Sequence, residues 1–189
     1  MTRIEPGVAR PEFADLLCLR GYHLGAEIGV QGGDHAALLL AGWPGRLLLV
    51  DPWRHSDDPA YRDDANVDDE VHEMHLLRCQ EQMERFGGRA VIMRMFSVEA
   101  ARLIADGVLD YVYIDAKHTY AAVTEDLEAW WPKVRAGGII SGHDYTVDAP
   151  PREGNVFGVK PAVDDFVQGR AETLYVSDEE WPTWFFFKG

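Results

Sequence analysis

Two apolar runs, each ending abruptly in a polar cluster, constrain the fold of this chain more than any other feature. Between Asp110 and Tyr145 the sequence reads DYVYIDAKHTY, then a helical segment, then RAGGIISGHDY. Asp115, Lys117 and His118 follow the first run; His143 and Asp144 follow the second. Unbroken apolar runs, without the alternation of a half-exposed strand, are what strands buried on both faces require. In an open parallel sheet, ligands bind beyond the carboxyl ends of the strands, so both clusters are expected to border one crevice.

The same rhythm runs through the rest of the chain. Pro11 to Arg20 carries apolar residues at helical spacing and stops at Gly21. Ala26 to Val30 reads as a buried strand, followed by a glycine-rich turn and a helix through Ala36 to Leu40. Arg46 to Val50 is a strand ending at Asp51, Glu70 to Phe86 a helix closed by two glycines, and Ala90 to Met95 a strand. Val98 to Ala105 then reads as a helix, Tyr111 to Ile114 as a strand and Thr119 to Val134 as a helix, with Ile139 and Ile140 in the next strand. Val159 to Val167 is amphipathic, and Thr173 to Val176 and Trp184 to Lys188 read as closing strands. Strand and helix alternate five times before that closing pair, which specifies a single doubly wound α/β domain over residues 1–189.

Pro52 to Asp69 breaks the rhythm. It is polar, acidic and aromatic, with His55, Asp57, Asp58, Tyr61, Asp63 and Asp64 and no core periodicity. A loop of this length inside a domain is functional or disordered, and a mobile lid over the crevice is the functional expectation. A second polar stretch, Asp148 to Phe157, is expected to flank an acceptor pocket, where Arg152 would meet an anionic acceptor.

Composition narrows the partners. A net charge of -14 argues against a general basic field for nucleic acid or an anionic membrane, and favours solubility, a cationic ligand or a divalent metal. Cys18 and Cys79 lack a close Cys or His partner at metal spacing, so both read as buried small hydrophobes in a reducing compartment. The first residues hold no signal-peptide core and no run reaches a membrane span, so a cytoplasmic location is expected.

The segment from Glu27 reads E-I-G-V-Q-G-G-D, directly after the first of these strands and at the opening of a helix. Dinucleotide sites want G-x-G-x-x-G there, with a pyrophosphate on the helix N-terminus. A carboxylate at Glu27 would repel a pyrophosphate but attract the ammonium of a sulfonium amino acid ligand. Asp51 ends the second strand about twenty residues on, where an acid accepts both ribose hydroxyls of an adenosine.

With Glu27-x-Gly29-x-x-Gly32, LLLVDPW, YVYIDAKHTY and AGGIISGHDY in this order, nearly the whole chain resembles a class I S-adenosylmethionine-dependent methyltransferase. It is most similar to the small-molecule O-methyltransferases of macrocin type, and the catechol-type enzymes share the site layout. The resemblance implies a Rossmann-like seven-stranded sheet, mostly parallel with an antiparallel last strand and helices on both faces. It implies that Glu27 and Gly29 lie along the methionine part, that Asp51 takes the ribose, and that Ser97 lies near adenine unless it merely caps a helix. Trp53 would pack on adenine, close over substrate or join the core. Homo-oligomers are common in these families.

The same resemblance implies a divalent ion, magnesium or manganese, held by Asp115, His143 and Asp144. An imidazole in that set departs from the oxygen-only preference of magnesium. A metal-bound hydroxyl loses its proton more easily and attacks the methyl group of S-adenosylmethionine. His118 is the candidate general base, with His143 second if no metal binds; Lys117 would need desolvation to be neutral, and otherwise would orient an acidic substrate. The expected activity is O-methylation of a small acceptor, a sugar or natural product. The alternatives are a metal-independent methyltransferase with a histidine base, a cofactor-binding module without chemistry, and a nucleotide-sugar or dinucleotide binder. His72 and His75, three apart on one helix, read either as a metal pair or, more simply, as part of a solvated acidic face.

Overall fold

The five apolar runs become the parallel centre of one sheet. The computed structural model describes residues 4–59, 61, 63–146 and 157–189; the stretch with Pro150, Pro151, Arg152 and Gly154 lies outside them. Eight strands are formed: β1 (Ile4–Pro6), β2 (Leu24–Ile28), β3 (Arg46–Asp51), β4 (Ala90–Arg94), β5 (Leu109–Ile114), β6 (Val134–Gly142), β7 (Leu174–Val176) and β8 (Trp184–Phe187). Their order across the sheet is β1-β7-β8-β6-β5-β2-β3-β4, and all neighbours are parallel except where β8 pairs antiparallel with β6 and β7. The expected seven strands are all present. The eighth, β1, was not predicted: it is three residues long, ends in Pro6 and offers no apolar run, features compatible only with a sheet edge.

Side chains on successive strand residues point to opposite faces, and each face builds its own core. Tyr111 and Tyr113 of β5 pack with α1 (Phe13–Leu19), α2 (Asp34–Gly42) and α3 (Asp69–Glu84) through Phe13, Leu17, Leu40 and Cys79. Val112 and Ile114 of the same strand pack with α4 (Ser97–Leu103), α5 (Tyr120–Trp130) and α6 (Val159–Val167) through Leu127, Trp130 and Val163. Trp130 is fully buried. Cys79 is buried but Cys18 is exposed, contrary to expectation, because it falls on the outward face of α1, where its thiol reaches the Gly42 carbonyl at 3.3 Å. No helix among the described residues is long and apolar enough to cross a membrane.

The strand ends are stepped together by backbone hydrogen bonds. Gly29 N–H donates to Val50 O at 2.9 Å, Asp115 N–H to Ile28 O at 2.7 Å and His143 N–H to Ile114 O at 3.2 Å. This closeness requires glycine at 29: φ there is +86°, and an added Cβ would sit 2.0 Å from the Asp115 carbonyl oxygen. Gly29 thus lets the cofactor-side turn and the carboxylate-bearing turn share one wall.

One polar chain crosses the core beneath α4 and α5. Trp130 Nε1 donates to Ser97 Oγ at 2.9 Å, and Ser97 donates to Asp126. Burial outweighs the Ser97 hydrogen bond and raises the Asp126 carboxyl to about 7.

Two outcomes follow from these contacts. Gly29→Ala combines left-handed strain with a backbone clash and should cost about 2–4 kcal/mol in urea denaturation; a loss below about 0.5 kcal/mol would contradict the close approach. Asp126 keeps its proton in the fold up to about pH 7, whereas the unfolded chain releases it near 4. Unfolding then releases a proton across this window, so Asp126 makes stability fall with rising pH, by at most about 1.4 kcal/mol per unit, and level off above it. Asp126→Asn should lack that slope, so the stability difference between parent and variant should change with pH across this window; parallel pH profiles would contradict the assignment.

Candidate active site

Beyond the carboxyl ends of the central parallel strands lies a cavity of about 1040 Å³. Its wall includes Glu27, Gly29 and Gly32 from the β2 turn, Asp51 after β3, Ser97 at the start of α4, Asp115, Lys117 and His118 after β5, and His143 and Asp144 after β6. The structure therefore brings all the sequence-predicted site residues to one cavity except Trp53. That indole is fully buried in the core, with Nε1 donating to Gln31 O at 2.8 Å, so it supports the glycine turn from beneath and does not face a ligand. Directly after the strand, its large apolar ring is drawn into the gap under the turn, where it buries more surface than it would over the cavity.

Asp51 organises the same turn. Oδ2 accepts from Val30 and Gln31 N–H at 2.9 and 3.0 Å, and Oδ1 accepts from Trp53 N–H at 2.7 Å. These bonds occupy three of roughly four lone-pair directions, leaving capacity for a hydroxyl donor at the cavity. Ser97 is the first residue of α4 rather than its cap, which is Phe96. Its hydroxyl is committed to Asp126 and Trp130.

Glu27 is 1% exposed, yet Oε2 has no hydrogen-bond partner among the described residues. The nearest basic group is His35 Nδ1 at 3.4 Å, and both His35 ring nitrogens are likewise buried without a partner. His35 rests on the Tyr113 ring with centroids 4.2 Å apart and lines the cavity. Sequence reasoning missed it. Its place on the first turn of α2, one turn after Gly32, was the available signal.

The strand-end cluster centres on His118. Nε2 stands 3.1 Å from Asp144 Oδ2 and 3.5 Å from Asp115 Oδ1, while Nδ1 lies 2.5 Å from Asp63 Oδ2. Burial alone would lower the imidazole pKa, but the carboxylates of Asp115, Asp144 and Asp63 outweigh it and hold the ring well above its ordinary value. Asp115 and Asp144 are both held below the usual carboxylate range: burial opposes the shift, and His118 with Arg10 or His143 overcomes it. That shift favours the protonated ring where no cation is present, so a ligating Nε2 would have to release its proton as a cation binds. His143 turns elsewhere, with Nδ1 3.2 Å from Asp144 Oδ1 and Nε2 3.9 Å from Glu179 Oε1. Asp144 itself adopts φ +59°, a left-handed conformation that aspartate tolerates better than most residues.

Among the described residues, Asp115, His118 and Asp144 form a metal-capable group, with one ligand atom from each within 4.8 Å of the others. One nitrogen and two carboxylate oxygens suit manganese, iron or zinc better than magnesium. His72 and His75 join no such group. Their rings stand 6.3 Å apart, each with one buried nitrogen lacking a partner, and burial lowers the His72 pKa.

The long loop reaches this cluster. Besides Asp63 on His118, Asp58 pairs with Lys117, whose ammonium also sits 5.0 Å from the Tyr61 ring centroid. Lys117 therefore fastens the loop. From the opposite side comes Arg10, absent from the sequence-based site, which donates to Asp115 Oδ2 at 2.7 Å and lies over Tyr113. Nothing in its local sequence marks it, because the contact joins positions 105 residues apart.

The methyltransferase domain family matches residues 26–145, well over half the chain. No sequence relative is found among curated proteins. Solved structures share the fold at low identity. A Staphylococcus aureus protein provisionally assigned as a caffeoyl-CoA O-methyltransferase superposes with a TM-score of 0.73 at 13% identity, covering 100% of this chain and 86% of the other. An O-methyltransferase from Bacillus cereus, solved with S-adenosylhomocysteine, gives 0.68 at 16%, with coverage of 95% and 80%. The O-methyltransferase TomG of Streptomyces achromogenes, solved with S-adenosylmethionine, gives 0.66 at 14%, with coverage of 95% and 79%. By the family match, with the fold in agreement, this chain belongs to the methyltransferase domain family.

Proposed function

We propose that this protein transfers the methyl group of S-adenosylmethionine to a hydroxyl oxygen of a small acceptor, with the help of a divalent cation. The observation that carries the cofactor reading is Glu27 Oε2, buried beside the glycine turn with no hydrogen-bond partner among the described residues. A buried carboxylate without a partner is costly, and the ammonium of a methionine moiety would satisfy it. Asp51 has a free acceptor direction for a ribose hydroxyl, and Gly29 and Gly32 line the same cavity beside it. The O-methyltransferases of similar fold, two of them solved with this cofactor or its product, support oxygen as the acceptor atom.

In the reaction, an oxygen lone pair of the acceptor forms a bond to the methyl carbon while the carbon–sulfur bond breaks, and the sulfonium becomes a neutral thioether. The acceptor must also lose its hydroxyl proton, which passes to solvent water. A divalent cation held by Asp115 and Asp144 with an imidazole would supply the positive charge that acidifies that hydroxyl. The residues fit such an ion: His118 Nε2 is buried and close to both carboxylates, yet aligned with neither for a hydrogen bond. The protein's own contribution is to hold the acidic groups ionised and the cofactor's charged end in place.

A second reading is favoured by one contact. The Arg10 guanidinium already neutralises Asp115 at 2.7 Å, so a metal-independent enzyme could use that cation to orient an anionic acceptor. Chelator treatment separates the two: activity toward a hydroxylated acceptor should vanish with EDTA and return with Mn²⁺ under the first reading, and persist under the second.

Glu27→Gln should weaken S-adenosylhomocysteine binding by about 10–100-fold in calorimetry, because a charge-assisted hydrogen bond becomes a neutral one. An affinity unchanged within twofold would remove Glu27 from the cofactor site. Asp115→Ala should abolish methyl transfer while leaving that affinity within about threefold. Full turnover in this variant would overturn the role given to Asp115.

A further inference from the structure

The loop between β3 and α3 carries several acids, and the mechanism above uses none of them. One, Asp63, makes the closest approach to His118, at 2.5 Å from Nδ1. Its side chain is 11% exposed, so this is an inward-turned carboxylate on an otherwise polar loop. The His118 ring is gripped in its plane by stacking on Phe157, with centroids 4.9 Å apart and planes 12° from parallel. With Nδ1 engaged by Asp63 and the ring face fixed, Nε2 is the only nitrogen left, and it lies 3.1 and 3.5 Å from the Asp144 and Asp115 oxygens. Nε2 is buried and has no hydrogen-bond partner in line.

We infer that Asp63 is a positioning residue, which takes the Nδ1 proton of His118 as a hydrogen bond and so presents Nε2 as the nitrogen ligand of a divalent cation shared with Asp115 and Asp144. This rests on the metal-assisted reading above and extends it, because the third ligand becomes His118, with His143 outside the set. A carboxylate behind a ligating imidazole fixes its tautomer and orientation and makes it a better donor, an effect worth about 10–100-fold in metal affinity. Here that carboxylate comes from the long loop, and Asp58 on Lys117 fastens the same loop one residue away from His118. Seating of the loop and assembly of the metal site are therefore one event.

The test is Mn²⁺ binding to the metal-stripped full chain, followed by electron paramagnetic resonance, with pulsed detection of a coordinated histidine nitrogen. S-Adenosylhomocysteine binding to each variant in the same buffer confirms that it is folded. The expected result is one Mn²⁺ with a nitrogen signal that His118→Gln abolishes and His143→Gln retains. Asp63→Ala should weaken Mn²⁺ about 10–100-fold, and Asp63→Glu should recover part of the loss. Unchanged Mn²⁺ affinity in Asp63→Ala, or a nitrogen signal lost in His143→Gln and kept in His118→Gln, would overturn the inference while leaving metal assistance standing. No Mn²⁺ uptake by the parent protein would overturn both, and intact S-adenosylhomocysteine binding would then leave the cofactor reading in place.

Discussion

Three carboxylates converge on one imidazole, and the rest of the site is arranged around keeping that concentration of charge tolerable. Asp63, Asp115 and Asp144 all approach His118 within 3.5 Å. Partly buried acids this close repel unless cations lie among them. Positive charge comes from two places: Arg10, from the segment before α1, pairs with Asp115, and the His118 ring lies at the centre with its pKa raised by the three acids. The carboxylates remain ionised as a result. An ionised pair beside a buried ring nitrogen is the electrostatic setting a divalent cation requires.

That cluster also links elements far apart in the sequence. The N-terminal segment is tied down by Arg10, whose backbone N–H donates to Glu179 and whose guanidinium reaches Asp115. The loop after β3 is tied down at Lys117 and His118. Glu179, near the start of β8, faces His143. Chain ends and the long loop thus meet over the strand ends, while the sheet beneath needs only its apolar runs and the Gly29 approach to place Asp115 and Asp144. Elsewhere on the cavity wall, Ser97 and Asp126 are tied by hydrogen bonds to the buried Trp130.

Much of this was legible from local sequence, and the failures have physical causes. Buried parallel strands announce themselves as apolar runs, so the doubly wound sheet and the strand-end positions of Asp51, Asp115 and Asp144 followed from the alternation, whereas the order of the strands did not. Ligand geometry did not. His118 and His143 each stand three residues from or beside a strand-end acid, and only the backbone turn decides that His118 enters the cluster while His143 faces Glu179. Asp63 could not be picked out among the acids of its loop, since which one turns inward depends on a contact 55 residues away. Of the places the sequence left open to Trp53, the indole takes the core, since an aromatic beside a site acid gains more from its own burial than local sequence reveals. The edge strand β1 was invisible because three residues ending in proline carry no periodicity.

A crystal structure of the protein with S-adenosylhomocysteine and Mn²⁺, with anomalous scattering to locate the ion, tests the central claim most directly. The account predicts the homocysteine ammonium within hydrogen-bond distance of Glu27, and a single anomalous peak bounded by Asp115, His118 Nε2 and Asp144. A ligand whose amino group lies away from Glu27, or an ion bound elsewhere than between those three side chains, would contradict it.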